Sequence, residues 1–253
     1  MKRIHPPRIR LIRWILGLAL AGAAGPLAAG PLAAETSPDV AKSKLAELEA
    51  ALRAAPDSLP RTHAYRLAAR EAGRLSEATL VLEELVASHP EAVAPRLDLA
   101  LALIDRLADP QLDLARRAVI ASQATRHLNH ILTADPTHWA ARYVRGMTHL
   151  LWPRASQHIK PAIDDFERLV ATQPEKPEAY HSRVHVALGD AYVMSVDPAQ
   201  ARAAWRRGQE LFPEDPELAK RLAMSFKVMN AFVLDTFRLD RPFATDLSFL
   251  WAK

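Results

Sequence analysis

The sequence predicts an all-α fold, a solenoid of stacked helical hairpins, on three observations. The first is a small residue followed twelve positions later by proline, a spacing that occurs at Ala78–Pro90, Ala124–Pro136, Ala162–Pro174 and Ala201–Pro213. The second is an apolar or aromatic residue four positions after each small one, on the same helical face, at Leu82, Leu128, Phe166 and Trp205. The third is the scarcity of glycine, because beyond residue 35 it occurs only at Gly73, Gly146, Gly189 and Gly208.

The clearest repeat lies within residues 182–213, which read as two antiparallel helices joined by a tight turn. Asp197 is placed to cap the second helix, and Pro198 is tolerated in its first turn. Small residues lie where the two helices would touch, at Gly189, Ala201 and Gly208. This stretch resembles the tetratricopeptide repeat, a helix–turn–helix unit of about 34 residues. The resemblance covers roughly residues 40–216 and implies a right-handed α-solenoid of about four such repeats with helical caps.

Residues 1–34 are predicted to form a signal peptide. Their basic residues all lie at or before Arg13, and an apolar run at 14–25 follows, too short to span a bilayer comfortably. Segments 21–23 and 32–34 both offer cleavage sites rich in small residues. The sequence therefore predicts export to the periplasm. The alternative is an uncleaved segment anchored in the inner membrane, the one case in which we expect the protein to contact a membrane.

The remaining elements follow in order. Residues 35–58 predict an N-terminal capping helix, which opens with the capping sequence at 36–39. Residues 59–215 hold the repeat array, in which the second helix of repeat two is unusually long, from Pro110 to Ala134. Its extra turns are either a decorative extension or a ridge that contacts a partner. Residues 216–238 predict a single C-terminal capping helix.

An aromatic tail forms the last predicted segment, residues 239–253. A disordered tail would usually lack so many large apolar side chains. Two interpretations stay open: the tail packs on the cap helix or the end of the groove, or it is a docking peptide that a partner binds. The residues on which both depend are Phe243, Phe249 and Trp251.

Composition and charge exclude several classes of protein. The chain has no cysteine, which excludes disulfides, thiolate metal sites and covalent haem attachment. Five of the 33 basic residues lie before residue 35, which leaves 28 basic residues against 29 acidic ones. Nucleic-acid binding needs clustered excess positive charge, so no nucleic acid is predicted as a partner.

No catalytic residue, cofactor or metal ligand is predicted. Two histidine pairs have helical spacing, at His127 with His130 and at His181 with His185, but neither belongs to an HExxH motif. Asp164 and Asp165 are expected on a solvated helix face. There is no Gly-rich phosphate loop and no GxSxG motif. The sequence therefore favours a binding protein over an enzyme, with a metal carrier as a weaker alternative.

The candidate binding site is the surface that the first helix of each repeat lines in tetratricopeptide arrays. The Lys, Asn and Arg clamp by which some members bind a terminal carboxylate is missing, and the middle of this groove is apolar. Such a groove suits an amphipathic helix or an extended hydrophobic segment, although the same residues could simply pack against neighbouring helices. With His63 and Arg70 at one end, the predicted groove residues are Leu67, Leu97, Leu101, Ile104, Tyr143, Met147, Leu150, Val186, Asp190 and Met194.

The resemblance implies a protein–protein interaction module with an unidentified protein partner. Exported members of the family serve as assembly factors for envelope complexes, so an assembly factor or scaffold in a Gram-negative envelope is expected. The alternative from a different class is a stoichiometric structural subunit of a larger envelope complex.

Overall fold

The computed structural model describes residues 38–153, 156–238 and 243–251, and within these ranges it contains helices and no strand. The predicted signal peptide and residues 239–242 and 252–253 of the tail lie outside them. The α-helices are α1 Pro38–Ala54, α2 Leu59–Glu71, α3 Leu75–Ser88, α4 Val93–Arg106, α5 Leu114–Ala134, α6 Trp139–Leu150, α7 Ile159–Ala171, α8 Ser182–Met194, α9 Pro198–Leu211, α10 Pro216–Leu222 and α11 Phe226–Thr236. The described helices include none that is long and apolar enough to cross a membrane.

Helices adjacent in the chain pack together as hairpins, α2 with α3, α4 with α5, α6 with α7 and α8 with α9. The first helices also contact one another, α2 with α4, α4 with α6 and α6 with α8. They therefore form one continuous surface, called here the inner face. The predicted all-α array of about four helix–turn–helix repeats is confirmed.

Each of the last two hairpins closes on a contact between a glycine and an aromatic ring. A Cβ on Gly146 would lie 2.6 Å from the Phe166 ring, and one on Gly189 would lie 2.0 Å from the Trp205 Nε1. Phe166 and Trp205 are both fully buried. The sequence pattern of small and large residues thus reports real helix–helix contacts, because only glycine lets the ring approach this closely.

The turns inside the first and last hairpins share one backbone conformation with different residues. Gly73, between α2 and α3, has a φ of +67°, and Val196, between α8 and α9, has a φ of 65°. Glycine adopts this left-handed conformation without cost, whereas a β-branched residue does not. The exposed Val196 is therefore a strained turn residue.

The long second helix of repeat two is present, but it begins later than predicted. Asp113 caps α5 by accepting a hydrogen bond from the Arg116 amide at 2.8 Å, so the helix starts at Leu114 rather than at Pro110. Leu114 and Val119 are among the most exposed large apolar side chains in the described ranges. Whether this extension contacts a partner stays a prediction.

The C-terminal cap consists of two helices where the sequence predicted one. Helix α10 ends at Leu222, and the guanidinium of Arg202 on α9 donates hydrogen bonds to the carbonyls of Leu222 and Met224, at 3.3 and 2.7 Å. These bonds satisfy carbonyls that a continuous helix would have used itself. The break also leaves Phe226, the first residue of α11, exposed to solvent.

One further expectation was wrong. Asp165, predicted on a solvated face together with Asp164, is buried and accepts hydrogen bonds from Arg142 at 3.0 Å and from Arg145 at 2.5 and 2.8 Å. Asp164 remains exposed and pairs with Lys160. Two arginines from α6 are therefore what makes the burial of one α7 carboxylate favourable.

Candidate functional site

The predicted groove residues lie on the first helices of the repeats, but most of them are buried. Met147, Val186 and Leu67 are half-buried. The others are buried: Leu97, Leu101, Ile104, Tyr143, Leu150, Asp190 and Met194. Asp190 is committed to an ion pair, because its carboxylate accepts two hydrogen bonds from Arg221 of α10, at 2.7 and 2.8 Å. The groove is therefore not an open apolar channel.

Part of the cover is the C-terminal segment, residues 243–251, which lies on the inner face. Leu247 is 1% exposed and Thr245 is 4% exposed, as deeply buried as residues of the helical core. The three aromatic residues predicted to pack or dock, Phe243, Phe249 and Trp251, are half-buried. Of the two interpretations of the tail, the packed arrangement is the one present in this structure.

Thr245 is the polar anchor of the segment at the α2–α4 end. Arg66 of α2 donates to the Thr245 carbonyl at 2.8 Å and to its hydroxyl at 3.2 Å, and Arg70 donates to the same hydroxyl at 2.8 Å. The hydroxyl in turn donates to Oδ1 of Asp105 at 2.6 Å. Arg66 is also paired with Asp105 and with Asp98, so the two α4 carboxylates fix the guanidinium that binds Thr245.

His63 of α2 binds the main chain of the segment at Leu247. The Leu247 amide donates to Nε2 of His63 at 2.9 Å, and Nδ1 of His63 lies 2.8 Å from Oδ1 of Asp98. The same Nε2 lies 3.2 Å from Oδ1 of Asp246, and the Arg66 guanidinium lies 3.2 Å from Nδ1. Asp98 thus orients the ring for recognition of a peptide N–H, and Trp251 packs edge-on against it, with ring centroids 5.2 Å apart.

Aromatic and cationic side chains surround Phe249 at the α6–α8 end. The Arg183 guanidinium lies 4.2 Å from the centre of the Phe249 ring, within the range of a cation–π interaction. The rings of Tyr180 and Trp139 lie 5.9 and 6.3 Å from it. Trp139 also stacks on Tyr143, with centroids 4.9 Å apart.

Two cavities remain on the inner face beside and beneath the segment. The smaller, about 240 Å³, lies between the segment and four predicted groove residues, Leu101, Ile104, Tyr143 and Met147. The larger, about 720 Å³, extends over α8 and α10 and is lined in part by Tyr143, Met147, Val186, Asp190 and Phe249. Burial raises the pKa of Tyr143, so its phenol stays neutral and able to donate a hydrogen bond.

The described residues bring together no group of three His, Cys, Asp or Glu side chains that could hold a metal ion. Of the predicted histidine pairs, His185 contacts Oε1 of Gln173 through Nε2 at 3.0 Å, and Nδ1 of His181 lies 3.1 Å from the Glu178 carbonyl. Burial lowers the pKa of His127 to about 4. The contacts of His181 and His185 thus join a ring nitrogen to an oxygen atom of the protein.

Sequence reasoning missed the charged half of this site. His63 and Arg70 were placed on the inner face, but the Arg66 between them and the two α4 carboxylates were not. Their spacing carries the signal, because residues three, four and seven apart share a helical face. The aromatic residues around Phe249 were missed because the Trp139 and Tyr180 contacts join different repeats.

No protein-family model and no curated protein matches the chain. Two solved structures are similar to it. A thermophilic tetratricopeptide-repeat protein of Thermus thermophilus has a TM-score of 0.55 and 19% identity, with 78% of this chain and 91% of that one covered. A tetratricopeptide-repeat protein of Parabacteroides merdae has a TM-score of 0.53 and 18% identity, with coverages of 82% and 76%. The predicted resemblance is thus confirmed at the level of fold: the chain has the fold of tetratricopeptide-repeat proteins.

Proposed function

We propose that the chain is a non-catalytic protein-interaction module whose inner face holds an extended segment of a partner protein. One observation carries the proposal: residues 243–251 of the chain itself occupy this face. Arg66 binds a main-chain carbonyl and His63 binds a main-chain amide, groups that every polypeptide presents. The neighbouring cavity of about 720 Å³ leaves space for side chains larger than those now present.

We further propose that this module works in the periplasm as an assembly factor or scaffold for an envelope complex. The support is the basic segment and short apolar run of residues 1–34. N-terminal sequencing of the protein from its own cells tests export. A first residue between positions 22 and 36 is expected, and Met1 would indicate an anchored form instead.

A stoichiometric structural subunit is the second candidate, and exposed apolar surface on α5 favours it. Leu114 is 72% exposed and Val119 is 58% exposed. Beside Leu114 lies a cavity of about 310 Å³ with an apolar lining that includes Leu107 and Trp152. A permanent partner would cover such a surface, whereas a transient one would leave it exposed for part of the time.

Capture from the envelope fraction distinguishes a groove partner from other partners. Met147→Glu and Val186→Glu place charges in the larger cavity at half-buried positions, so both variants should fold and lose the partner. Leu80→Glu, on the exposed surface of α3, is the matched control and should retain it. Leu101→Glu is unsuitable, because Leu101 is 1% exposed and a buried carboxylate would unfold the repeat. Retention by both cavity variants would contradict the proposal.

A further inference from the structure

We propose that residues 243–251 are a self-ligand, and that the natural partner presents the same chemistry and competes with them. That chemistry is a serine or threonine, then an acidic residue and a leucine, with an aromatic ring two residues further on. In this chain these positions are Thr245, Asp246, Leu247 and Phe249. The inference rests on the proposed function and specifies the partner segment.

The hydroxyl requirement follows from the bonding of Thr245. Its oxygen accepts from Arg66 and Arg70 and donates to Asp105, so every hydrogen-bonding capacity of the hydroxyl is used. Valine has the same shape and would leave two guanidinium N–H groups and a carboxylate oxygen without this partner. Position 245 therefore selects serine or threonine over an apolar residue of equal size.

The acidic residue both shapes the segment and contacts the inner face, where Oδ1 of Asp246 lies 3.2 Å from Nε2 of His63. Oδ1 of Asp246 accepts from the Ser248 amide at 2.8 Å, a local bond that starts the 3₁₀ turn Ser248–Leu250. The turn carries Phe249 beneath the Arg183 guanidinium. Leu247, between these two features, is the one side chain of the motif that is fully enclosed and apolar.

The segment packs against the inner face less completely than a core element does, which is typical of a bound ligand. A partly open cavity of about 240 Å³ is lined both by residues of the segment and by Leu101, Tyr143 and Met147, so the segment does not fill the space above these helices. Outside Thr245 and Leu247, its side chains are half-buried or exposed. A few polar anchors above unfilled apolar space can be replaced by a competing segment that fills the space better.

A labelled peptide of residues 242–253, titrated against the full chain, tests the proposal by fluorescence anisotropy. Leu247→Asp in the chain weakens its own segment and should bind the peptide at least about tenfold more tightly than the unaltered chain, because occupancy in cis lowers apparent affinity. Val228→Asp, an exposed apolar-to-acid change on α11, is the control and should match the unaltered chain. Thr245→Val in the chain makes the same test without adding a charge.

The peptide with valine in place of threonine should bind the Leu247→Asp chain at least about tenfold more weakly. Equal binding of the peptide by all chains, or by none, overturns the inference. A dimer of the unaltered chain, measured by light scattering, would also overturn it, because segments exchanged between two copies would then account for the occupied face. Partner capture that depends on Met147 and Val186 would still be expected after either of these results, so the inference can fail while the proposed function holds.

Discussion

The two ends of the inner face contact the C-terminal segment through different kinds of interaction. At the α2–α4 end, buried ion pairs and hydrogen bonds fix Arg66 and His63 against the C-terminal segment. At the α6–α8 end, one ring, Phe249, lies at the edge of a cavity of about 720 Å³. The comparison teaches that the first end has the geometry for specificity, whereas the second end has room to accept different side chains.

The largest expected loss of stability comes from a substitution at the α2–α4 end. Arg66→Met removes the cation from the buried carboxylates Asp98 and Asp105, so we expect a loss of about 3–5 kcal/mol in the free energy of unfolding. Urea denaturation measures it. Arg53→Met, which breaks an exposed pair with Glu84, is the control and should cost less than about 1 kcal/mol. Equal losses in the two variants would mean that the α2–α4 cluster contributes no more than a surface pair.

A smaller effect tests the packing of the second end. Ala201 is fully buried where α9 meets α8, so Ala201→Arg should cost at least about 1–3 kcal/mol, because a long side chain has no space there. Ala203 is exposed on the same helix, and Ala203→Arg should be close to neutral. Chemical denaturation of both variants checks the register of the repeat, which a neutral Ala201→Arg would contradict.

The repeats that contribute α6 and α8 to the second end also carry acid sensitivity. Burial lowers the pKa of His149 and His185 to about 4, whereas in the unfolded chain both keep the ordinary value of 6.5. As the pH falls below 6.5 the unfolded state takes up protons first, so stability present above that pH is lost towards pH 4. We expect a decrease of about 2 kcal/mol per histidine between pH 7.5 and pH 5.

Denaturation of His185→Gln across the same pH range isolates one of these contributions. The variant should show a flatter pH dependence, smaller by about 2 kcal/mol over this interval. His130→Gln, at an exposed position on α5, should leave the dependence unchanged. A His185→Gln profile parallel to that of the unaltered chain would mean that the buried imidazole takes up its proton without unfolding the repeat.

The smallest effect compares the two turns directly. Val196→Gly should stabilise the chain by up to about 1 kcal/mol, because glycine relieves the left-handed strain that Gly73 avoids in the first hairpin. Val196 is exposed, so little packing is lost. Differential scanning calorimetry of this variant should show a higher melting temperature, and a lower one would show that the strain is absent.

The sequence predicted the features whose determinants lie close together in the chain. The Gly189–Trp205 contact and the Ala201 register follow from repeat spacing, because all of their determinants lie within one hairpin. The break after Leu222 could not be predicted, since its cause is Arg202 on another helix. A tail packed at the end of the groove was one of the two interpretations of the sequence, but its contacts could not be predicted, because Leu247 and His63 are 184 residues apart in the chain and no periodicity joins them.

Thermal unfolding of the chain without residues 242–253 tests the central claim most directly, with and without the corresponding peptide added back. If the segment is a ligand of the inner face, its removal should lower the melting temperature by roughly 5 °C or more, and saturating peptide should restore most of the loss. The array itself should remain helical by circular dichroism. An unchanged melting temperature, or a loss that the peptide cannot restore, would contradict the account.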